Sequence, residues 1–131
     1  MSNLEKGEQI PELRVTPDKY LPHRYAGASG DFNPIHIDGD FASQVGLPST
    51  ILHGLYTMAL VARANTAAAG GDPRSLKRLA VQFRGMGLPE KEIIVHGTVR
   101  EASAEHVLVD TEAEQEGNRI VRNAEAELAL G

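Results

Sequence analysis

Cysteine is absent from the chain. That removes disulfides, a thiolate nucleophile and every cysteine-based zinc site together, and it fits a reducing compartment. Tryptophan is also absent and aromatics are only 5% of residues, so a core has to be filled with Ala, Val, Leu and Ile. There is no basic excess. Thirteen Lys and Arg stand against 18 Asp and Glu, a formal net charge of −5, whereas nucleic-acid binders normally show the opposite balance. The longest apolar region, residues 51–69, is interrupted by His53, Arg63 and Asn65, which makes it a poor membrane span and points instead to a helix buried in protein. The first residues, 1–6, lack the charged-then-apolar order of a signal peptide. A cytoplasmic protein that engages neither nucleic acid nor membrane is expected.

Repeats, low-complexity linkers and the common cofactor motifs are missing as well. The five histidines, His23, His36, His53, His96 and His106, show no ligand spacing such as H-E-x-x-H. Gly85-Met86-Gly87 lacks the third glycine and the strand-turn-helix context of a dinucleotide loop, and no P-loop is present. No metal and no cofactor are expected. With 131 residues the chain has the size of one domain. Gly70-Gly71-Asp72-Pro73 is its sharpest break, and neither flank could bury a core alone, so residues 1–131 read as a single domain.

The two halves differ in pattern. Residues 9–15 read as an edge strand, because Pro11 has no backbone donor. Thr16-Pro17-Asp18 opens a helical turn, and a short helix beginning properly at Pro22 runs to about Ser29. Asn33 is pushed out of the α region by Pro34, so Asp31-Phe32-Asn33-Pro34 forms a turn. Asp38 is an N-cap for a second short helix over 39–45, stopped at Gly46. The main helix spans 54–68 and is apolar all round, as expected of a helix surrounded by protein. The remainder alternates as strands: 76–84, then a strand with Ile93, Val95, Gly97 and Val99 on one face, then Val107, Val109, Thr111 and Ala113, then Ile120, Ala124, Ala126, Leu128 and Leu130. The economical solution is an α+β fold, one long helix wrapped by a single antiparallel sheet. It leaves a sheet edge and one side of the helix uncovered, so a dimer is expected.

The chemistry concentrates in residues 26–38. Asp31 and His36 lie five residues apart across a Pro-fixed turn. A carboxylate only accepts hydrogen bonds, whereas an imidazole can accept and donate. Together they can grip one water and move its protons in either direction, the requirement for reversible hydration. Asn33 between them can orient the carboxylate or a substrate oxygen. Gly54 opens the long helix, where free N–H groups and the positive end of the dipole suit an enolate-like oxygen. Two roles are open to His53, an acid or orienting group at the site, or a structural residue bonding backbone at the helix entrance. Arg63 pairs with a carboxylate, reaches solvent or lies at a tunnel floor. Lys77, Arg78 and Arg84 form either a cationic entrance for a phosphate-bearing carrier or a solvated strand face.

Asp31-x-Asn33-Pro34-x-His36, followed by Leu52-His53-Gly54 and the long helix, resembles the MaoC-like hydratase/dehydratase family. That family includes the (R)-specific enoyl-CoA hydratases and the catalytic subunits of (3R)-hydroxyacyl carrier-protein dehydratases. The match is strongest from Tyr25 to Met58, and the strand pattern extends it over nearly the whole chain; Pro22 is less usual for the family. The resemblance implies a hot-dog fold and a catalytic water held by Asp31 and His36. It also implies Asn33 as polar support, Gly54 N–H on the thioester carbonyl, and an acyl tunnel beside the central helix at a subunit interface. The implied substrate is an acyl-CoA or acyl carrier protein thioester, in a homodimer or a heterodimer with a related hot-dog subunit. Two rival readings exist. A hot-dog thioesterase often carries its working carboxylate on the central helix, but residues 54–69 contain no Asp or Glu. A non-catalytic acyl-binding subunit would be expected to lose the acid–base pair, which is present.

Overall fold

The computed structural model describes residues 4–129. Residues 1–3 of the N-terminal reading and Leu130 of the last strand pattern lie outside them. Five strands, β1 (Leu13–Val15), β2 (Leu76–Phe83), β3 (Ile93–Ala102), β4 (His106–Gln115) and β5 (Asn118–Ala129), form one sheet in the order β1-β3-β4-β5-β2. All neighbours are antiparallel. Strands β3, β4 and β5 are a meander, and β2 crosses to the far side of β5.

The alternation read from the sequence is the alternation of burial. Val95 and Val99 of β3, Val107 and Val109 of β4, and Ala124, Ala126 and Leu128 of β5 are all buried, while His96, Arg100, Asp110 and Glu112 line the outer face. The buried hydrophobic core of the described residues is wholly aliphatic, as the scarcity of aromatics requires. One departure lies in β5, where Ile120 and Val121 are both buried. The register against β4 slips beside Ala113, and Asn123 takes φ 52°. An extra residue re-aims the strand there, and strict period-two counting does not see it.

Strand β1 is shorter than the expected 9–15. Pro11 cannot donate to the ladder, so the segment before it meets β3 only through separate bonds such as Ile10 N–H to the Gly97 carbonyl (3.0 Å) and a bridge from Gln9 to Thr98.

Four α-helices lie between β1 and β2 in the chain: α1 (Leu21–Ser29), α2 (Pro34–Ile37), α3 (Gly39–Gln44) and α4 (Gly54–Ala68). Pro22 lies in the first turn of α1 and Asp38 caps α3 through the N–H groups of Asp40 and Phe41, both as expected. Helix α2 was not expected. Pro34 ends the preceding turn but also suits the first position of a new helix, because its missing N–H is one that no helix uses there.

Helix α4 has the expected bounds and packs against β2, β3, β4 and β5. Thr57, Leu60, Val61, Ala64, Asn65 and Ala68 are buried, the i, i+3, i+4, i+7 spacing of one helical face. Alanines here and at Ala113, Ala124 and Ala126 of the sheet let helix and strands approach closely. Within a single chain α4 is not surrounded: Leu55, Ala59, Arg63 and Ala67, four residues apart in turn, are exposed. Among the described residues no helix is long and apolar enough to cross a membrane.

Candidate active site

Helix α1 ends where Gly30 turns left-handed (φ 79°) and its N–H reaches back to the Ala26 carbonyl at 2.8 Å. That stop delivers Asp31. Its N–H is held by Ser29 Oγ and its Oδ1 accepts the Asn33 N–H, each at 3.2 Å. Asn33 is extended (ψ 130°), as a residue before proline must be, and its Oδ1 accepts the Ile35 N–H to cap α2. The single turn of α2 then carries His36 inward, to 7% exposure. The five-residue spacing thus spans an Asx turn and one helical turn.

His36 Nδ1 lies 2.8 Å from the Ile51 carbonyl. A carbonyl only accepts, so Nδ1 carries the hydrogen and Nε2 presents its lone pair. That lone pair faces Asp31 Oδ2 at 3.7 Å, too far for a direct hydrogen bond. Two acceptors at this spacing match one water donating a hydrogen to each from about 2.8 Å. The Ile51 segment is itself anchored, its N–H bonding the Ile35 carbonyl at 3.1 Å.

His53 is 2% exposed. Its ring stacks on His36 with centroids 3.8 Å apart and 16° between planes. Its Nε2 lies 3.0 Å from the backbone carbonyl of Asp31. Tyr25 of α1 packs against it with centroids 4.8 Å apart, and Tyr56 meets Tyr25 edge-on. Burial pushes the Tyr56 hydroxyl above the ordinary tyrosine value. Asp31, His36 and His53 bring ligand-type atoms within 4.8 Å of one another, a cluster that histidine spacing along the chain does not reveal. Its geometry suits a metal poorly. Imidazole lone pairs lie in the ring plane, so those of two stacked rings run side by side instead of converging on one tetrahedral ion.

Gly54 is the first residue of α4, next to His53, so the helix N-terminus and the Asp31–His36 pair share one neighbourhood. Its N–H has no acceptor among the described residues, as expected of a first-turn donor. A Cβ on Gly54 would stand 3.4 Å from the Phe83 ring at the end of β2. Phe83 therefore lies across the helix entrance, which the sequence did not indicate.

The remaining candidates disperse. Arg63 is exposed and forms no salt bridge among the described residues. Arg78 pairs with Glu125 at 2.8 Å and Arg84 bonds Gln82. His23 bonds the Ile37 carbonyl. His96 and Arg100 line an outer-face concavity of about 620 Å³, where His96 faces Glu112 and Glu114 and Arg100 pairs with Asp110 and Glu125.

The fold and this loop-to-helix constellation define a class. The family model described as MaoC like domain matches residues 4–118, and the chain belongs to that family, with its hot-dog fold. It is 36% identical over 111 residues to the fatty acid synthase beta subunit hexB of Dothistroma septosporum, covering 81% of this chain and 6% of that protein. It is also 36% identical over 86 residues to the peroxisomal enoyl-CoA hydratase 2 of Arabidopsis thaliana, covering 65% of this chain and 27% of that one. A solved structure described as a MaoC-like dehydratase superposes with a TM-score of 0.91 at 28% identity, over 98% of this chain and 41% of that chain. The chain thus spans a small part of the curated relatives it matches.

Proposed function

We propose that this chain is a hydro-lyase that interconverts trans-2-enoyl and (3R)-3-hydroxyacyl thioesters. The observation that carries the reading is the pair of acceptors, Asp31 Oδ2 and His36 Nε2, at 3.7 Å, beside the free N-terminus of α4. In hydration, a water held by both acceptors attacks C3 and loses a proton to the pair. The π electrons of the C2–C3 bond move through C2 onto the thioester oxygen, where the Gly54 N–H stabilises the enolate. Collapse of the enolate takes a proton from the pair at C2. One water is added and the acid–base pair is regenerated, so no cofactor takes part beyond CoA or the acyl carrier protein that bears the acyl group. Asn33 Oδ1 caps α2, and its side-chain NH2 is the part offered to a substrate oxygen.

The chain acts as one hot-dog domain, and we place it in the cytoplasm. The exposed stripe Leu55, Ala59 and Ala67 on α4 and the free edge of β2 support a partner, a second copy or a related hot-dog subunit. The acyl chain then lies along α4 between the subunits.

The test is hydration of crotonyl and longer enoyl thioesters on both carriers. Asp31→Asn and His36→Ala should each lower turnover by about 10²–10⁴-fold, the usual worth of an acid–base group, with the melting temperature nearly unchanged. Full activity in both variants overturns the proposal.

A further inference from the structure

Resting on the hydration site proposed above, we infer that His53 is a positioning residue: it fixes the distance between Asp31 and His36 without touching substrate. Three observations carry this. The first is what His53 does not do. It occupies the N-cap position of α4, where a polar side chain ordinarily accepts a hydrogen bond from the first turn, yet its side chain makes no such bond. The usual structural reason for a polar residue there is missing.

The second is what it does instead. The Asp31 carbonyl can only accept, so His53 Nε2 carries the hydrogen and donates it across 3.0 Å. This bond ties the Asp31 loop to the entrance of α4, 22 residues away in the chain. The same ring is the surface on which the His36 imidazole lies at 3.8 Å. One side chain therefore holds the backbone of the acid and the ring of the base. The Asp31 carboxylate, by contrast, accepts a hydrogen bond among the described residues from the neighbouring Asn33 N–H alone.

The third is the other nitrogen. With Nε2 donating, Nδ1 is buried and has no hydrogen-bond partner among the described residues. A buried unpaired polar atom in a native structure calls for a reason. A residue kept only to fill this space would be an apolar ring. The imidazole combines a flat stacking face with an N–H that reaches the Asp31 carbonyl, which no apolar ring of its size offers. Tyr25 packs against the same ring and limits its rotation.

Because His53 acts through two other groups, displacing it should lower kcat and leave KM within about threefold. Misplacing reacting groups by about 1 Å can cost 10²-fold. The experiment compares His53→Phe, which keeps the ring and loses the donor, with His53→Gln, which keeps a donor and loses the ring. His53→Phe should lower kcat by about 10–100-fold and His53→Gln should recover part of that loss. In the Asp31→Asn background, His53→Phe should add little. A fully active His53→Phe, or a loss that multiplies in full with Asp31→Asn, overturns the positioning role. If a variant fails to fold, ¹⁵N chemical shifts of the wild-type ring decide instead: Nε2 should be protonated and Nδ1 bare, and the reverse tautomer overturns it. Failure here is distinct from failure of the hydration reading, which is read from Asp31→Asn and His36→Ala alone.

Discussion

At the scale of single residues, two backbone carbonyls do much of the arranging. The Ile51 carbonyl sets the His36 tautomer and the Asp31 carbonyl sets that of His53. The proposed pair, Asp31 and His36, could be singled out in the sequence because its chemistry is carried by side chains five residues apart. Ile51 could not, because a carbonyl is common to every residue and leaves no trace in the side-chain code. Room for a substrate carbonyl is what the sequence suggests at Gly54, whereas the Phe83 ring, 3.4 Å from where a Gly54 Cβ would stand, comes from β2 and was not expected. The two demands separate by substitution. An Ala Cβ at Gly54 would meet Phe83 at 3.4 Å, ordinary contact, so Gly54→Ala should fold with unchanged or slightly raised stability. Gly54→Val drives methyls toward the ring and should lose about 1–3 kcal/mol in denaturant melts, partly recovered by Phe83→Ala, and it should abolish turnover. A folded, active Gly54→Val would show that Gly54 is not the carbonyl site.

At the scale of elements, period and capping explain what was read correctly. The bounds of α4 follow from apolar spacing between Gly54 and the Gly70-Gly71 turn, and α3 follows from Asp38. The misses are irregularities that a repeat cannot encode: the single turn of α2, the bulge at Asn123 and the shortened β1. The outer face of the sheet carries its own prediction. Arg100 and Arg78 both reach Glu125, and the Arg100 hydrogen bond holds its carboxyl below the ordinary carboxylate range, against the opposing effect of burial. A carboxylate with a depressed folded-state value stabilises the fold above its unfolded value, about 4.3, and this is lost as pH falls through the folded value. Melting temperature should therefore decline on acidification below about pH 4. Glu125→Gln should show a shallower decline, and identical acid limbs for the two proteins would contradict the assignment.

At the scale of the whole molecule, α4 accounts for both the core and the expected partner. One face meets the sheet, while Leu55 is 61% exposed on the other, with Phe83 and Met86 also about half exposed. The sequence pattern, apolar all round, is the pattern of a helix covered on both sides, and one chain covers only one. Light scattering should give twice the mass of the chain, alone or with a related subunit. Ala59→Glu, exposed in the single chain, should yield folded monomers of reduced activity. A wild-type monomer with full turnover would contradict the shared site.

The central claim is that the two acceptors beside α4 add water to an enoyl thioester, and one assay reads it directly: crotonyl-CoA incubated with the protein in D2O. The account predicts (3R)-3-hydroxybutyryl-CoA carrying deuterium at C2, with turnover lost by about 10²–10⁴-fold in Asp31→Asn. Release of free CoA in place of the hydroxyacyl product, or undiminished hydration in that variant, would contradict it.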